Sequence, residues 1–305
     1  MNFGSLFSGI GGFDLGFEQA GLECSFQCEI DDNAISILDK HYPEIKKFRD
    51  VTKMARRLYD CEQIDEDEFL CPRCEMEFGD CECSGADEML DEYPIDVLVG
   101  GFPCQDISAG RDRWGAKGIN GERSGLWFEY KRIIDELQPK WAIVENTGRL
   151  RNGRNGDDFR AIVEGFTELN YVGVGFVIDA AAFSLPARRP RVIIMARRIE
   201  QGFSRISDWK RLANCFLRND PGFVILERGG QSLTTDNGLK RPRPESYRKL
   251  TPLECERALG FPDNWTAGQS NTTRYKQIGN AVAVPVAKFI GEVIMEFENE
   301  QQSEI

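Results

Sequence analysis

The stretch that most constrains the fold is "FGSLFSGIGGFDLGFEQAG", residues 3–21. An apolar run of strand length ends in Gly9, Gly11 and Gly12, and the residues after them repeat at helical spacing until Gly21 closes the segment. A strand that turns through glycines into a helix is the opening unit of a doubly wound sheet, because the helix must pack back across the strand it follows. The chain continues in the same way. "LECSFQCEI" reads as a second strand and "NAISILDKHY" as a second helix, and "IDVLVGG", "WAIVENT", "GFVIDAAAF" and "RVIIMAR" are further strands. "GLWFEYKRIIDELQ" and "DDFRAIVEGFTELN" carry apolar residues at three- and four-residue spacing and read as the helices between them. No repeat of 20 to 50 residues is visible. The expectation is an α/β protein with a mostly parallel sheet and helices on both faces.

Two regions break the alternation, and charge separates them. Residues 55–96 hold fifteen Asp/Glu against three Arg, which accounts for the whole net charge of −12. Residues 186–249 hold fifteen Lys/Arg against six Asp/Glu, a balance able to follow a phosphate backbone and equally compatible with a solvated surface. After this basic stretch "TPLECERALGF" reads as a helix capped by Thr251 with Pro252 at its first position and Glu254 closing a capping box. "AVPVAKFIGEVIMEFENE" reads as the last helix. The organisation expected is residues 1–197 as the main domain with an insert at 55–93, residues 198–272 as a small second domain, and residues 273–305 returning to the first.

Composition narrows the chemistry. The only histidine is His41, with no serine, cysteine or second ligand close in sequence, so histidine-based hydrolysis and histidine-rich metal sites are disfavoured. The N-terminus shows no basic leader with an apolar core, and there is no run of about eighteen apolar residues, which predicts a cytoplasmic protein. Ten cysteines in such a chain read as thiols, metal ligands or nucleophiles.

Four strand ends carry candidate chemistry. The glycine turn can bring backbone N–H groups to a ligand, and Glu29, seventeen residues past Gly12, ends the second strand where an acid can take ribose hydroxyls. That pattern fits a dinucleotide, S-adenosylmethionine or a plain tight turn. "DVLVGGFPCQDIS" runs a strand into Gly100-Gly101 and presents Cys104 at its carboxyl end, as a nucleophile or as a structural thiol. "WAIVENTG" brings Glu145 to the same rim, as a proton donor or acceptor or as a helix cap. In "ARRPRVIIMA", Arg189 and Arg191 alternate and can address a carboxylate, a phosphate or a base carbonyl. "YKQIGNAVAVPVAKFI" adds a Gly-Asn turn that opens an apolar helix.

Taken together and in this order, these segments resemble the DNA (cytosine-5)-methyltransferases of bacterial and phage type over almost the whole chain. The matching residues are "LFSGIGGF", Glu29, Asp50 in "FRDVTKM", "GGFPCQ", "ENT", "RRPR", "RKLTPLECERALGFPDNW" and "QIGNAVAVP". The resemblance implies a Rossmann-like fold binding S-adenosylmethionine, with a small target-recognition domain at 198–272. It implies Cys104 as the nucleophile on carbon 6 of cytosine, Glu145 at ring N3, and Arg191 aided by Arg189 at O2 and the catalytic loop. It also implies a cofactor pocket of Phe7, Gly9, Ile10, Gly11, Gly12, Glu29, Ile30, Asp50, Val51, Pro103, Leu126, Asn280 and Val282. Gln105, Ser108, Arg123, Gln231, Ser232 and Leu233 are the implied contacts to double-stranded DNA, with "QDISAGRDRWGAKGINGERSG" as a lid over a flipped base. The protein is expected as a monomer, paired with a restriction enzyme or standing alone. A relative acting on tRNA and a silent DNA-binding regulator are the alternatives.

The sequence departs from the family pattern in several places. Thr147 stands where the family usually has Val, Ala187 where it has Gln, and "GGQSLTTD" where it shows a Thr-Leu pair. The insert "FLCPRCEMEFGDCECSG" has no family counterpart. Cys71, Cys74, Cys81 and Cys83 in it could close a structural zinc site, although one-residue spacing in the second pair is tighter than usual. Its acids would repel DNA, so it is expected to face away from the duplex or to meet a protein partner.

Overall fold

The computed structural model describes residues 1–54, 62–65, 68–70, 92–103, 126–148, 150, 156–199, 224–225 and 248–302. Strand β1 (Asn2–Leu6) passes through the glycine turn into α1 (Gly12–Gln19), and β2 (Glu23–Cys28) comes next, then α2 (Asp32–His41) and β3 (Lys46–Phe48). A separate hairpin, β4 (Glu62–Asp65) with β5 (Glu68–Leu70), belongs to the acidic insert. The main sheet resumes at β6 (Val97–Gly100), continues through α3 (Leu126–Leu137), β7 (Trp141–Thr147), α4 (Asp157–Glu168), β8 (Tyr171–Asp179) and β9 (Pro190–Arg198), and takes a two-residue edge strand β10 (Val224–Ile225). The chain then closes with α5 (Pro252–Ala258), α6 (Asn271–Asn280) and α7 (Val284–Gln302).

The strands form one eight-stranded sheet in the order β10-β8-β9-β7-β6-β1-β2-β3. From β3 to β7 all neighbours are parallel, while β9 lies antiparallel between β7 and β8. The parallel reading therefore holds for five strands and gives way to a hairpin at the far side. That reversal decides where the arginines go, since only an antiparallel β9 begins at the rim where the parallel strands end. β8 starts at Tyr171, earlier than the sequence suggests, and Ala180–Phe183 is a short 3-10 turn after it. The three-residue strand β3, two of whose residues are lysines, has no apolar alternation to announce it.

Alternate residues of each strand feed two cores. On one face Phe3, Val97, Val99, Trp141, Ile143, Ile193 and Met195 pack with α1, α2 and α7. On the other, Leu98, Ala142, Val144, Val192 and Ile194 pack with Trp127, Tyr130, Ile134, Ile162 and Phe166 of α3 and α4. The Tyr130 hydroxyl reaches down to the sheet, 3.0 Å from the carbonyls of Leu98 and Ile143.

The C-terminal segment completes the first core. Thr251 caps α5 with the capping box expected from its sequence, and Leu259, Phe261 and Trp265 beyond it join the core beside α1. The Gly-Asn pair behaves differently from its reading: Gly279 and Asn280 close α6, and α7 starts only at Val284. The stretch Asn271–Glu300 is long and apolar enough to cross a membrane, but 67% of its most apolar part is buried inside the protein and Ala281–Ala283 interrupts it. Far from the rim, buried Glu298 of α7 accepts from Arg197 Nε at 3.0 Å and Trp141 Nε1 at 2.9 Å, tying the helix to the sheet.

Helices α1 and α7 cross at glycines. A Cβ on Gly16 would stand 2.4 Å from Ala287 Cβ and 2.6 Å from the Lys288 amide nitrogen, and one on Gly291 would stand 2.7 Å from Ala20 Cβ. Backbone cannot move aside as a side-chain tip can. Gly16→Ala is accordingly expected to lower stability by about 1–3 kcal/mol in urea unfolding, the usual penalty for overpacking; wild-type stability would show that the helices separate without cost.

Candidate active site

Five neighbouring strands deliver candidate site residues to one rim. In order across the sheet these are Glu29 after β2, the glycine turn after β1, Gly101–Pro103 after β6, Glu145 at the end of β7, and Arg191 at the start of β9. At about 4.8 Å per strand, the row is about 19 Å long from Glu29 to Arg191. The register makes the neighbours direct: Leu6 pairs with Gly100, Gly100 with Val144, and Thr147 with Arg191.

Glu145 is the centre of the right half. Its Oε1 sits 2.8 Å from Arg191 Nε, with 14% and 19% of the two side chains exposed. A Cβ at Gly101 would lie 2.8 Å from Glu145 Oε2, so the second glycine of "GGFPC" makes room for this carboxylate. The next residue works on the opposite face. Asn146 Nδ2 donates to Phe102 O at 3.3 Å while its Oδ1 accepts from Thr147 N at 2.8 Å, which holds the segment leading to Cys104 against the end of β7. Burial raises the Glu145 pKa above the ordinary carboxylate value, opposed by the charges of Arg191 and Arg189 and the hydrogen bond from Arg191.

The two arginines, expected to act together, have different partners. Arg189 Nη2 donates to Gly279 O at 2.8 Å and to Ala281 O at 2.7 Å, at the end of α6. Its backbone N–H donates to Asp179 Oδ1 at 2.7 Å, which fixes the return from β8 into β9. Arg191 makes the ion pair with Glu145, while Arg189 acts on that carboxyl through its charge.

The left half is built on the glycine turn and Glu29. Phe7, Gly9 and Gly11 all have positive φ, at 54°, 57° and 81°. For Phe7 that conformation is costly, and it marks a turn held in shape by its surroundings. Ser8 supplies part of the hold, its backbone N–H donating to Cys28 O at 3.1 Å and its hydroxyl to Ser5 O at 3.0 Å. Glu29 supplies more: one oxygen accepts from Gly9 N at 2.8 Å, the other from Ile30 N and Asp31 N at 2.9 and 2.8 Å. Nothing lies within 4 Å of a Cβ built on Gly9, and Ile30 beside it is 70% exposed. Asp50 Oδ1 accepts from the backbone and hydroxyl of Thr52, capping the turn that buries Val51.

Helix α6 and the residues after it form the floor. Val282 is buried, and its carbonyl oxygen would stand 2.8 Å from a Cβ on Gly12. Asn280 is exposed at the helix end. Lys276 pairs with Asp31 at 3.2 Å, and Trp265 Nε1 donates to Ile10 O at 2.8 Å. His41 is a half-buried support, stacked on Trp265 with ring centres 3.5 Å apart, and burial lowers its pKa. Under the turn lies Asp14, fully buried and held by Gln27 Nε2 at 2.8 Å and Ser5 Oγ at 3.2 Å, its pKa raised by desolvation.

Four of these supports escaped the sequence reading: Asp14, Trp265, Asp179 and the Asn146 amide. Asp14 had a signal, an acid on the apolar face of α1 between Phe13 and Phe17. Cys104, Gln105, Ser108, Arg123, Gln231, Ser232 and Leu233 lie outside the described residues, as do Cys71, Cys74, Cys81 and Cys83 of the insert. Among the described residues no group of three or more His, Cys, Asp or Glu could hold a metal. Pro103 and Leu126 border the undescribed stretch on either side.

A sequence model of the C-5 cytosine-specific DNA methylase family matches residues 1–71, 69–214 and 213–296. Among curated relatives, the Type II methyltransferase M.BsuFI of Bacillus subtilis is 28% identical over 97% of this chain and 73% of its own length. M1.ScrFI of Lactococcus lactis subsp. cremoris is 30% identical over 75% and 70%. Among solved structures, a protein titled as a DNA modification methyltransferase from an E. coli prophage superposes with a TM-score of 0.63 at 17% identity, over 98% of this chain and 99% of its own. S. pombe Dnmt2 methyltransferase gives 0.60 at 14%, over 97% and 98%. These structural likenesses concern the fold, a Rossmann-like methyltransferase sheet.

The Glu145–Arg191 pair has a pH signature. Because the folded pKa of Glu145 is raised, its contribution to stability is present at low pH and is lost as pH rises through that pKa. Arg191→Met removes a charge that holds the pKa down. The Glu145 carboxyl should then titrate at higher pH by carboxyl-carbon NMR, and the variant's stability deficit should be larger at pH 8 than at pH 5. An unshifted titration would mean that the cation does not govern the acid.

Proposed function

The chain belongs to the C-5 cytosine-specific DNA methylase family, whose members methylate cytosine in DNA, and from that premise we propose a specific route. In it the methyl group of S-adenosylmethionine passes to carbon 5 of a cytosine flipped out of the duplex, through a covalent Cys104 adduct at carbon 6. The observation that carries this reading is the buried carboxyl of Glu145, paired with Arg191 and packed against Gly101 three residues before Cys104.

Carbon 5 of cytosine is a weak nucleophile, and each proposed role answers to that. The Cys104 thiolate adds to carbon 6, forming a C–S bond as the electron pair of the 5,6 double bond moves into the ring. Glu145, with its pKa raised by burial, gives its proton to N3 or holds it there, and Arg191 meets the negative charge that builds at O2. Bound S-adenosylmethionine would supply the electrophilic methyl that the enamine-like carbon 5 attacks, its S–CH3 bond breaking to release S-adenosylhomocysteine. A base then takes the carbon-5 proton, the C–S bond breaks, and Cys104 leaves as a thiolate.

The cradle that the glycine turn and Glu29 form fits the nucleoside part of that cofactor. Open backbone at Gly9, a carboxylate on Glu29 and the exposed apolar side chain of Ile30 offer hydrogen bonds on one side and a stacking face on the other. Asp50, Val51, Pro103, Leu126, Asn280 and Val282 complete it in this reading, with Phe7 on the adenine. Target choice is assigned to residues 198–272, supported by the basic balance of residues 186–249. The homologues' Type II names make a restriction-modification partner the natural setting.

With S-adenosylmethionine and mixed-sequence duplex DNA, the protein is expected to yield 5-methylcytosine by nucleoside mass spectrometry, at one sequence context on sequencing. Cys104→Ser should reduce the yield to background, and Glu145→Gln should lower kcat by about 10²–10⁴-fold, the worth of a positioned proton donor. Product on an exocyclic amino group, or on tRNA but not on DNA, would overturn the assignment.

A further inference from the structure

We infer that Arg189 is a positioning residue for the nucleoside cradle, acting as the C-terminal cap of helix α6. The inference rests on the reading of that cradle as the S-adenosylmethionine pocket and gives Arg189 a role separate from that of Arg191.

A helix leaves its last carbonyls without intrahelical partners, and a cation near them is favoured by the helix dipole. Helix α6 has no basic residue in its own last turn and no left-handed glycine after it, since Ala281 at its end is extended with φ −65° and ψ 151°. Arg189 arrives from β9 and bridges two of these carbonyls, Gly279 O at 2.8 Å and Ala281 O at 2.7 Å, through the single nitrogen Nη2. Ala281 leads directly into the cradle's floor. Ala281, Val282 and Ala283 are 8%, 7% and 3% exposed, and Val282 fills the space in front of Gly12 so closely that a Cβ there would be 2.8 Å from its carbonyl oxygen. On the far side Val284 N donates to Leu259 O at 2.9 Å. The junction is therefore held by the glycine turn, by the end of α5 and by Arg189, and of these Arg189 is the one that connects it to the strand carrying Arg191.

Arg189 is itself fixed. Asp179 Oδ1 accepts from both Ala181 N and Arg189 N, at 3.1 and 2.7 Å, which sets the backbone from which the guanidinium reaches α6. Two residues on, Arg191 meets Glu145. The start of β9 thus braces the pocket with one arginine and the acid with the other.

Binding of S-adenosylhomocysteine by titration calorimetry, without DNA, separates the two roles. Arg189→Met should weaken binding by about 5- to 150-fold, the range of an energetic coupling between sites. Arg189→Lys should restore most of it, since one ammonium can bridge both carbonyls as Nη2 does. Arg191→Met should weaken it less than Arg189→Met does. In turnover, Arg189→Met should raise the KM for S-adenosylmethionine by more than it lowers kcat, and Arg191→Met should do the reverse. Hydrogen exchange of the ligand-free protein should show the amides of residues 281–284 losing protection in Arg189→Met alone. Wild-type affinity and protection in Arg189→Met, or equal losses in Arg191→Met, would overturn the inference. If Arg189→Met fails to fold, Asp179→Ala is read by the same criteria, with weaker binding supporting the brace and wild-type binding refuting it. A wild-type protein that takes up no S-adenosylhomocysteine would sink the cofactor reading, while the exchange data would still judge the brace.

Discussion

The site depends on one reversal of chain direction. Parallel strands put their carboxyl ends on a single rim, which is why open α/β sheets bind ligands there. A parallel β9 would have begun at the opposite rim and carried its arginines away from Glu145. Inserted antiparallel between β7 and β8, it starts where β7 ends, and Arg191 falls opposite Thr147 in register, on the same face as Glu145. The ion pair is a consequence of that pairing. So is the spacing along the rim, with the Glu145–Arg191 pair at one end and the glycine turn with Glu29 beginning two strands away.

The second dependence is on the C-terminal return. Helix α7 crosses α1 through Gly16 and Gly291, close enough that the last long helix of the chain lies directly on the first. Trp265 donates to the carbonyl of Ile10, and Val282 closes on Gly12. The glycine turn is therefore supported by residues more than 250 positions away, as the separation of 255 between Trp265 and Ile10 records. A turn with three left-handed residues at alternate positions, one of them a phenylalanine, is not stable on local preference, and its shape is imposed from outside.

How much of this was legible in the sequence depends on the range of the interactions behind each feature. Strand-to-turn-to-helix units were readable because glycines and apolar periodicity are local, and the capping box at Thr251 was readable to the residue. The rim position of Glu145 came from strand order alone. The antiparallel hairpin was hidden because its connection, residues 180–189, is too long for a recognisable two-residue turn. Gly279-Asn280 was misread as opening a helix, since glycine and asparagine mark a helix end as readily as a turn. Arg189 could not be separated from Arg191 by pattern: alternation put both on one face, and only the position of α6 decides that the first finds carbonyls and the second a carboxylate.

The balance at Glu145 explains why the acid is paired at all. Removing a carboxylate from water costs several kcal/mol even after relaxation. At 2.8 Å and an effective dielectric constant of about 20, attraction to the Arg191 guanidinium is worth about 6 kcal/mol. The two effects are opposite in sign, burial pushing the carboxyl pKa up and the arginine holding it down. Net upward displacement, with desolvation the largest cause, leaves the group able to hold a proton closer to neutrality than a free glutamate can. The glycine at 101 fits the same arrangement, since a side chain there would stand 2.8 Å from Glu145 Oε2 and displace the carboxylate from its place beside Arg191.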